Sequence, residues 1–254
     1  MPIKIAIPNK DYLLPLLSNF ENTRQEFDFE IFFASEGQIS EMLLEDKIDA
    51  GFLDPLSYGN LLLKDDFEIL PTTCFTSFGF SKLCTIAFSD NLVEVNSLLA
   101  NKNETFLATI AKILISEKFN FEPQIVYFEE MAPKELKNTE AIVLTQQINN
   151  FPITLDLSEE WEDSFETLLP IGFWVIRSSQ QNSQLKELTK SLFSYYDTPT
   201  IPITEEVVTK NAHYERQGEL NYLFSEKVES AIDNLLELLY QKGYLDEMTD
   251  SKIN

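Results

Sequence analysis

The sequence predicts an α/β protein built mostly from parallel sheets, and three observations support this. Short apolar segments alternate along the chain with segments whose apolar residues have helical spacing. Several apolar segments end directly at a residue that can cap a helix, as at Asp54-Pro55. Hydrophobic residues make up 44% of the 254 residues, which is enough for a sizeable core.

The predicted strands are short apolar runs. Residues 50–53 are small or apolar throughout, which is typical of a strand buried on both faces. In chain order the predicted strands span residues 3–8, 29–35, 48–53, 67–73, 84–89, 123–128, 141–145 and 172–177. Because helices are predicted between many of them, the order indicates parallel pairing.

The predicted helices begin at capping residues and keep apolar residues on one face. Ser35 caps one helix, and Asp54 caps the next, with Pro55 in its first turn. Asn103 is expected to cap an amphipathic helix over residues 104–117. Residues 11–20 are predicted to form a short helix or a turn, broken or kinked at Pro15. The other predicted helices cover residues 36–46, 183–196 and 224–242, the last with Gly243 as its C-cap.

Polar residues follow several strands, at the positions where α/β proteins bind ligands. Such ligands lie beyond the carboxyl ends of strands and near the N-termini of helices. The segments are IPNKDY (7–12), LDPLSY (53–58), NKNETF (101–106) and LTQQ (144–147). Their backbone amides and neutral side chains are expected to bind a carboxylate without basic residues. For Asp54 alone, an ordinary helix cap is the alternative interpretation.

The composition excludes several functional classes. A net charge of −23 opposes binding to nucleic acid or to an anionic membrane. No apolar run approaches the roughly 20 residues of a membrane span, and the N-terminus lacks a signal-peptide pattern. We therefore expect a cytoplasmic protein, unless a leader was removed. Two cysteines and one histidine provide neither a disulfide framework nor a multi-histidine metal site.

Four segments carry longer motifs. They are EDKIDAGFLDPLSYG (45–59), residues 84–123, AIVLTQQ (141–147) and LDLSEEWEDSFETLLPIGFWVIR (155–177). The last contains an Asp-Leu-x-Glu-Glu-Trp signature at 156–161, a second tryptophan at Trp174, and Arg177 after it. Over nearly the whole chain, this sequence resembles the chorismate dehydratases of the futalosine route to menaquinone.

The resemblance implies a two-lobed type II periplasmic-binding-protein-like fold, with two crossing segments and a helical C-terminal tail. Residues 1–90 and 172–254 are then expected to form one lobe, and residues 91–171 the other. The crossings are expected near residues 89–92 and 168–173. The ligand is expected to lie in the cleft between the lobes.

The implied reaction removes water from chorismate or a close analogue and gives 3-(1-carboxyvinyl)oxybenzoate. A proton alpha to a forming enolate leaves, and the ring hydroxyl then departs. The family uses no metal or organic cofactor, so the protein mainly orients the substrate and stabilises charge. The expected partner is a small-molecule carboxylate, and the oligomeric state is left open.

Asn9 and Cys84 are the candidate catalytic residues. Asn9 or Tyr12 stands where the family has an asparagine, and Cys84 stands where it has a serine. The expected ligand-binding residues are Tyr12, Asp54, Tyr58, Thr85, Asn103, Thr105 and Thr145. All of these residues are expected to converge on one cleft.

The changed motifs leave other functions open. FETLLP (165–170) replaces the family's Thr-Gly-Leu-Pro-Phe run. The alternatives are a non-catalytic small-carboxylate-binding protein of the same fold and an interaction scaffold with a vestigial cleft. Cys84 has its own alternative as a buried packing residue. If it is catalytic, its thiol is a weaker donor than a hydroxyl, which predicts slow turnover.

Overall fold

The computed structural model describes residues 2–129, 131–145, 151–180, 183–194, 199–208 and 213–253. Within them the chain forms twelve strands and seven α-helices, with 3₁₀-helices at Asp11–Leu17 and Lys102–Glu104. The strands are β1 (Ile3–Pro8), β2 (Phe29–Ala34), β3 (Ala50–Leu53), β4 (Phe67–Gly79), β5 (Cys84–Phe88), β6 (Ser97–Asn101), β7 (Gln124–Phe128), β8 (Glu140–Thr145), β9 (Ile153–Asp156), β10 (Leu169–Arg177), β11 (Thr200–Val208) and β12 (His213–Leu223). The α-helices are α1 (Phe20–Glu26), α2 (Glu36–Leu44), α3 (Pro55–Leu62), α4 (Thr105–Phe119), α5 (Leu157–Phe165), α6 (Ser183–Ser191) and α7 (Glu226–Gln241).

The chain divides into two compact units. The first contains Met1–Thr76, Pro170–Ile201 and Asn221–Asn254, and the second contains Ser77–Leu169 and Pro202–Leu220. The passage expected near residue 90 therefore lies at 76/77, because β5 pairs with β8 and β9 in the sheet of the second unit. The chain returns to the first unit at 169/170. The sequence did not predict that part of β11 and β12 would join the second unit.

The first unit contains the parallel strands that the sequence predicts. They belong to a seven-stranded sheet of order β11-β12-β4-β10-β3-β1-β2. Strand β1 is parallel to both β2 and β3, whereas β10 is antiparallel to β3. All four residues of β3 are buried, as its apolar sequence predicts. The carboxyl ends of β1, β2 and β3 consequently lie along one edge of this sheet.

The second unit is built on a five-stranded sheet of order β7-β6-β8-β5-β9. Strand β6 is parallel to β7 and β8, and β5 is antiparallel to β8 and β9. Helix α4 packs against one face, where Phe88 of β5 meets Phe119 edge-on at 6.3 Å between ring centroids. The predicted α/β class is confirmed, with antiparallel pairs in addition to the parallel ones. Across the described residues, no helix is both long and apolar enough to span a membrane.

Two of the predicted helix starts are confirmed by their caps. The Ser35 hydroxyl accepts a hydrogen bond from the Gln38 amide at 3.4 Å, and the Gln38 side chain accepts one from the Ser35 amide at 3.0 Å. Asp54 accepts a hydrogen bond from the Ser57 amide at 2.8 Å, and Pro55 is the first residue of α3. Both arrangements satisfy amides that the first helical turn leaves unpaired.

The other helix boundaries differ in part from the prediction. Asn103 does not cap α4, because the Asn101 side chain accepts the Asn103 amide hydrogen bond and a 3₁₀ turn precedes the helix. Helix α7 ends one residue earlier than expected, and Gly243 follows with a φ of 75°, as a glycine after a helix end often does. Helix α6 ends at Ser191 rather than 196, and residues 195–196 lie outside the described part of the chain.

Trp174→Phe is expected to lower the free energy of unfolding by about 2 kcal/mol. The Trp174 ring is fully buried, and its Nε1 donates to the Thr73 hydroxyl at 3.0 Å. Urea unfolding of Trp174→Phe, Thr73→Val and the double variant measures this bond. Because the double variant leaves no unpaired partner, it should cost less than the sum of the single variants. Additive costs would contradict the assignment.

Candidate functional site

The first unit brings charged side chains together at the carboxyl edge of β1, β2 and β3. Lys10 follows β1, Glu36 begins the helix after β2, and Asp54 follows β3. Because β1 is parallel to both neighbours, these three positions lie at the same edge. We name Lys10, Glu36 and Asp54 the edge cluster. Asn9 is exposed and follows β1 directly, so it lies at the same edge.

The edge cluster is largely withdrawn from solvent. The Lys10 Nζ lies 2.6 Å from Glu36 Oε1, and their side chains are only 12% and 15% exposed. Asp54 is 7% exposed. One of its oxygens accepts the Ser57 amide at 2.8 Å, and the other accepts the Ser57 hydroxyl at 3.0 Å. Asp54 is therefore a helix cap, which was the alternative interpretation of this residue. It is also a member of a buried charge cluster.

The environment of Asp54 changes its acidity. Burial, helped by the nearby Glu36 carboxylate, raises the pKa of Asp54 from 3.8 to about 6. The hydrogen bonds from Ser57 and the charge of Lys10 act in the opposite direction but are outweighed. A carboxylate with a pKa near neutral can take up a proton and release it again under ordinary conditions.

Tyr12 borders the edge cluster and is held by a row of aromatic rings. Its ring centroid lies 5.7 Å from the Lys10 Nζ and 5.7 Å from the ring centroid of Phe75, on which it stacks at 24°. Phe75 stacks in turn on Tyr222 at 5.1 Å. Tyr12 is only 8% exposed, so packing against its neighbours fixes the position of its ring. Tyr12 thus lies beside Lys10, whose charge acts on Asp54, and Asn9 is the residue before Lys10 in the chain.

Tyr58 does not join them. It is fully buried, its ring meets Phe173 edge-on at 5.3 Å, and its hydroxyl accepts the Lys252 amide at 3.1 Å. Burial raises the pKa of this phenol. Since Tyr58 lies on the face of α3 that faces the core, the expectation that it binds a ligand is corrected to a packing role.

Five predicted residues lie in the second unit, at one edge of the five-stranded sheet. Cys84 begins β5 and pairs in register with Thr145, the last residue of β8. Asn103 and Thr105 follow β6, which is parallel to β8 and therefore ends at the same edge. Gln146 and Gln147 of the LTQQ segment lie outside the described residues.

Side chains alternate between the two faces of a strand, and this places Thr85 on a different face from Cys84. Thr85 pairs with Leu144 and points to the opposite face of the sheet from Cys84 and Thr145. Cys84 shares its face with Phe88, which packs on α4, and Cys84 is 1% exposed. This position favours the packing interpretation of Cys84 over the catalytic one. Asn103 and Thr105 are both exposed.

The comparison with known proteins agrees with this architecture. The chain matches the family model described as menaquinone biosynthesis over residues 3–241. It belongs to the menaquinone biosynthesis family. No curated protein matches the sequence.

Solved structures similar to this menaquinone biosynthesis family member share its fold at low sequence identity. Protein AF1704 from Archaeoglobus fulgidus has 14% identity and a TM-score of 0.56, covering 96% of this chain and 98% of its own. The periplasmic aliphatic sulphonate binding protein SsuA from Escherichia coli has 12% identity and a TM-score of 0.55, covering 98% and 95%. SsuA from Xanthomonas axonopodis pv. citri bound to MOPS has 11% identity and a TM-score of 0.54, covering 98% and 95%. The predicted periplasmic-binding-protein-like fold is confirmed.

Within this family member, the Asp-Leu-x-Glu-Glu-Trp signature has a structural role in the second unit. Asp156 is 4% exposed and caps α5 through the Ser158 and Glu159 amides, both at 3.1 Å. It also accepts the Lys82 amide at 2.8 Å and the Ser81 amide at 3.3 Å. One carboxyl group therefore ties the connection before β5 to the start of α5.

The sequence did not identify Lys10 and Glu36 as site residues. Each was one charge among many in the chain, and the residues between them form a 3₁₀-helix, α1 and β2. The sequence feature that could have identified them is their position, since each is the second residue after a strand, β1 or β2. In the part of the chain that the structure describes, no group of three or more His, Cys, Asp or Glu side chains is arranged to hold a metal ion.

Proposed function

We propose that this menaquinone biosynthesis family member is a carbon–oxygen lyase that removes water from chorismate or a close analogue, giving 3-(1-carboxyvinyl)oxybenzoate. The observation that carries the proposal is Asp54, a buried carboxyl group with a pKa of about 6 beside a lysine ammonium. Membership of the family supports the reaction class. Asp54 supplies the proton acceptor that such an elimination needs.

In the proposed reaction, Asp54 takes a proton from the ring carbon next to the one that bears the hydroxyl group. The electron pair left behind spreads toward the ring carboxylate, then returns to form the new ring double bond as the hydroxyl departs. The departing oxygen takes up the proton to leave as water, and the ring becomes aromatic. The step is redox-neutral and consumes no co-reactant.

Three neighbouring residues are proposed to assist Asp54. The Lys10 ammonium offers positive charge to a substrate carboxylate as negative charge builds. The Asn9 amide, at the same edge, is a hydrogen-bond donor for the hydroxyl or a carboxylate. The Tyr12 ring, held by Phe75, offers a fixed surface for a flat conjugated ring.

A second candidate function is non-catalytic binding of a small carboxylate. The Lys10 ammonium of the edge cluster supports it, because a single cation can interact with one ligand carboxylate. This candidate needs no proton transfer by Asp54.

Incubation of the purified protein with chorismate distinguishes the two functions. We expect slow formation of 3-(1-carboxyvinyl)oxybenzoate, followed by chromatography against a sample without protein. Lys10→Met should weaken turnover, because it removes the countercharge for the substrate carboxylate. Thermal stabilisation by chorismate or benzoate without product would favour the binding function. Neither product nor stabilisation would overturn both.

A further inference from the structure

The ion pair between Lys10 and Glu36 differs from an ordinary surface pair. Both side chains are more than four-fifths buried, and their charged atoms are 2.6 Å apart. Exposed ion pairs contribute little to stability because solvent screens their charges. The charges of a buried pair are screened less and interact more strongly with nearby groups. The nearby carboxyl group that these charges reach is Asp54.

The backbone of Glu36 is held firmly for such a role. Glu36 is the first residue of α2 and lies inside the capping box that Ser35 and Gln38 form. The Ser40 hydroxyl donates to the Glu36 carbonyl at 3.0 Å, one turn further along. A negative side chain in the first turn also interacts favourably with the helix dipole.

We propose that Glu36 is a positioning residue, which holds the Lys10 ammonium and keeps Asp54 basic enough to accept a proton. The proposal rests on the function proposed above and adds a residue that does not itself touch the substrate. Lys10 pairs with Glu36, and its charge also acts on Asp54. If Glu36 were neutral, Lys10 would act on Asp54 alone and would favour its ionised, weakly basic form.

The charged groups that face Asp54 are few, which makes the inference testable. Lys10 comes from the segment after β1 and Glu36 from α2, while α3 contributes the neutral Ser57. Helix α7 also packs on α3, and it does so with an apolar contact, Leu236 against Gly59. The two charges act on the pKa of Asp54 in opposite directions: Glu36 raises it and Lys10 lowers it.

The test is the titration of Asp54 in the free protein, followed by the ¹³C shift of its carboxyl carbon. Glu36→Gln should move the midpoint to lower pH by about one unit, and Lys10→Met should move it to higher pH. Glu41→Gln removes an equal charge from an exposed position on the same helix and should leave the midpoint unchanged. A general loss of packing would not give opposite shifts.

The outcomes separate this inference from the proposed function. If chorismate is turned over, the acid limb of kcat/KM should follow the midpoint in each variant. If no variant turns over chorismate but the midpoints shift as stated, the proposed function fails and the coupling stands. An unchanged midpoint in Glu36→Gln, or shifts of the same sign in Glu36→Gln and Lys10→Met, would overturn the inference.

Discussion

Asp54→Asn is expected to lower kcat for chorismate by about 10²–10⁴-fold. The amide has nearly the same shape as the carboxylate and still accepts the Ser57 amide hydrogen bond, but it cannot take up a proton. In the unmodified protein, kcat/KM should rise with pH up to about 6 and then level off. The variant should lose this rise. Initial rates across the pH range measure both effects.

Ser57→Ala is the matched control for this substitution. It removes the hydroxyl that donates to Asp54 at 3.0 Å and leaves the carboxylate in place. Since that bond favours the ionised form, its loss should move the acid limb slightly to higher pH and keep most of the activity. Equal activity in Asp54→Asn and the unmodified protein would exclude Asp54 as the proton acceptor.

The same Asp54→Asn substitution is expected to leave the folded state at least as stable at pH 7. The pKa of Asp54 is raised from 3.8 to about 6, so the folded protein binds this proton more tightly than the unfolded chain does. The free energy of unfolding therefore falls as pH rises between those two values, by up to roughly 3 kcal/mol. Asparagine caps the helix without this loss. A substitution that reduces turnover while sparing stability is the behaviour of a functional residue.

Asp156→Ala is expected to lower the free energy of unfolding by about 3–5 kcal/mol. It removes the cap of α5 and leaves the amides of Ser81 and Lys82 without the carboxyl group that accepts them. The hydrogen bond from the Ser81 amide is buried and the one from the Lys82 amide is partly buried, so water replaces the lost bonds poorly. Chemical denaturation at neutral pH measures the loss.

Two further variants test whether the loss of stability in Asp156→Ala comes from the carboxyl group. Asp156→Asn keeps an acceptor for the amides of α5, and burial already raises the pKa of Asp156, so the neutral amide should cost less than alanine. Ser158→Ala removes a buried hydroxyl of α5 that has no hydrogen-bond partner and should be nearly neutral. Equal losses in Asp156→Ala and Asp156→Asn would show that the cap contributes little.

The sequence predicts the buried strands well and the exposed ones poorly. Strands β1, β3 and β10 are mostly buried and, apart from Lys4 and Arg177, lack charged residues. Strands β11 and β12 were not predicted, since few of their residues are buried and both strands contain charged residues. Their pairing depends on contacts that the local sequence does not contain.

The sequence indicated where the candidate site lies, but it did not identify the charged residues that meet there. The rule that ligands bind beyond strand ends singled out Asn9 and Asp54, which follow the neighbouring parallel strands β1 and β3. It could not show that Lys10 and Glu36 meet there, because the value of a charge depends on its burial and its partners. Tyr58 was assigned to the site because it follows a strand end, although one turn of helix directs it into the core.

The positions of the two tryptophans give the protein a built-in pair of optical probes. The chain has two tryptophans, Trp161 in the second unit and Trp174 in the first, and both are almost completely buried. An indole that leaves such an apolar environment shifts its fluorescence emission to longer wavelength. In a variant that keeps a single tryptophan, the emission therefore follows the melting of one unit alone. Coincident or separate transitions would then tell whether the two halves of the chain unfold together.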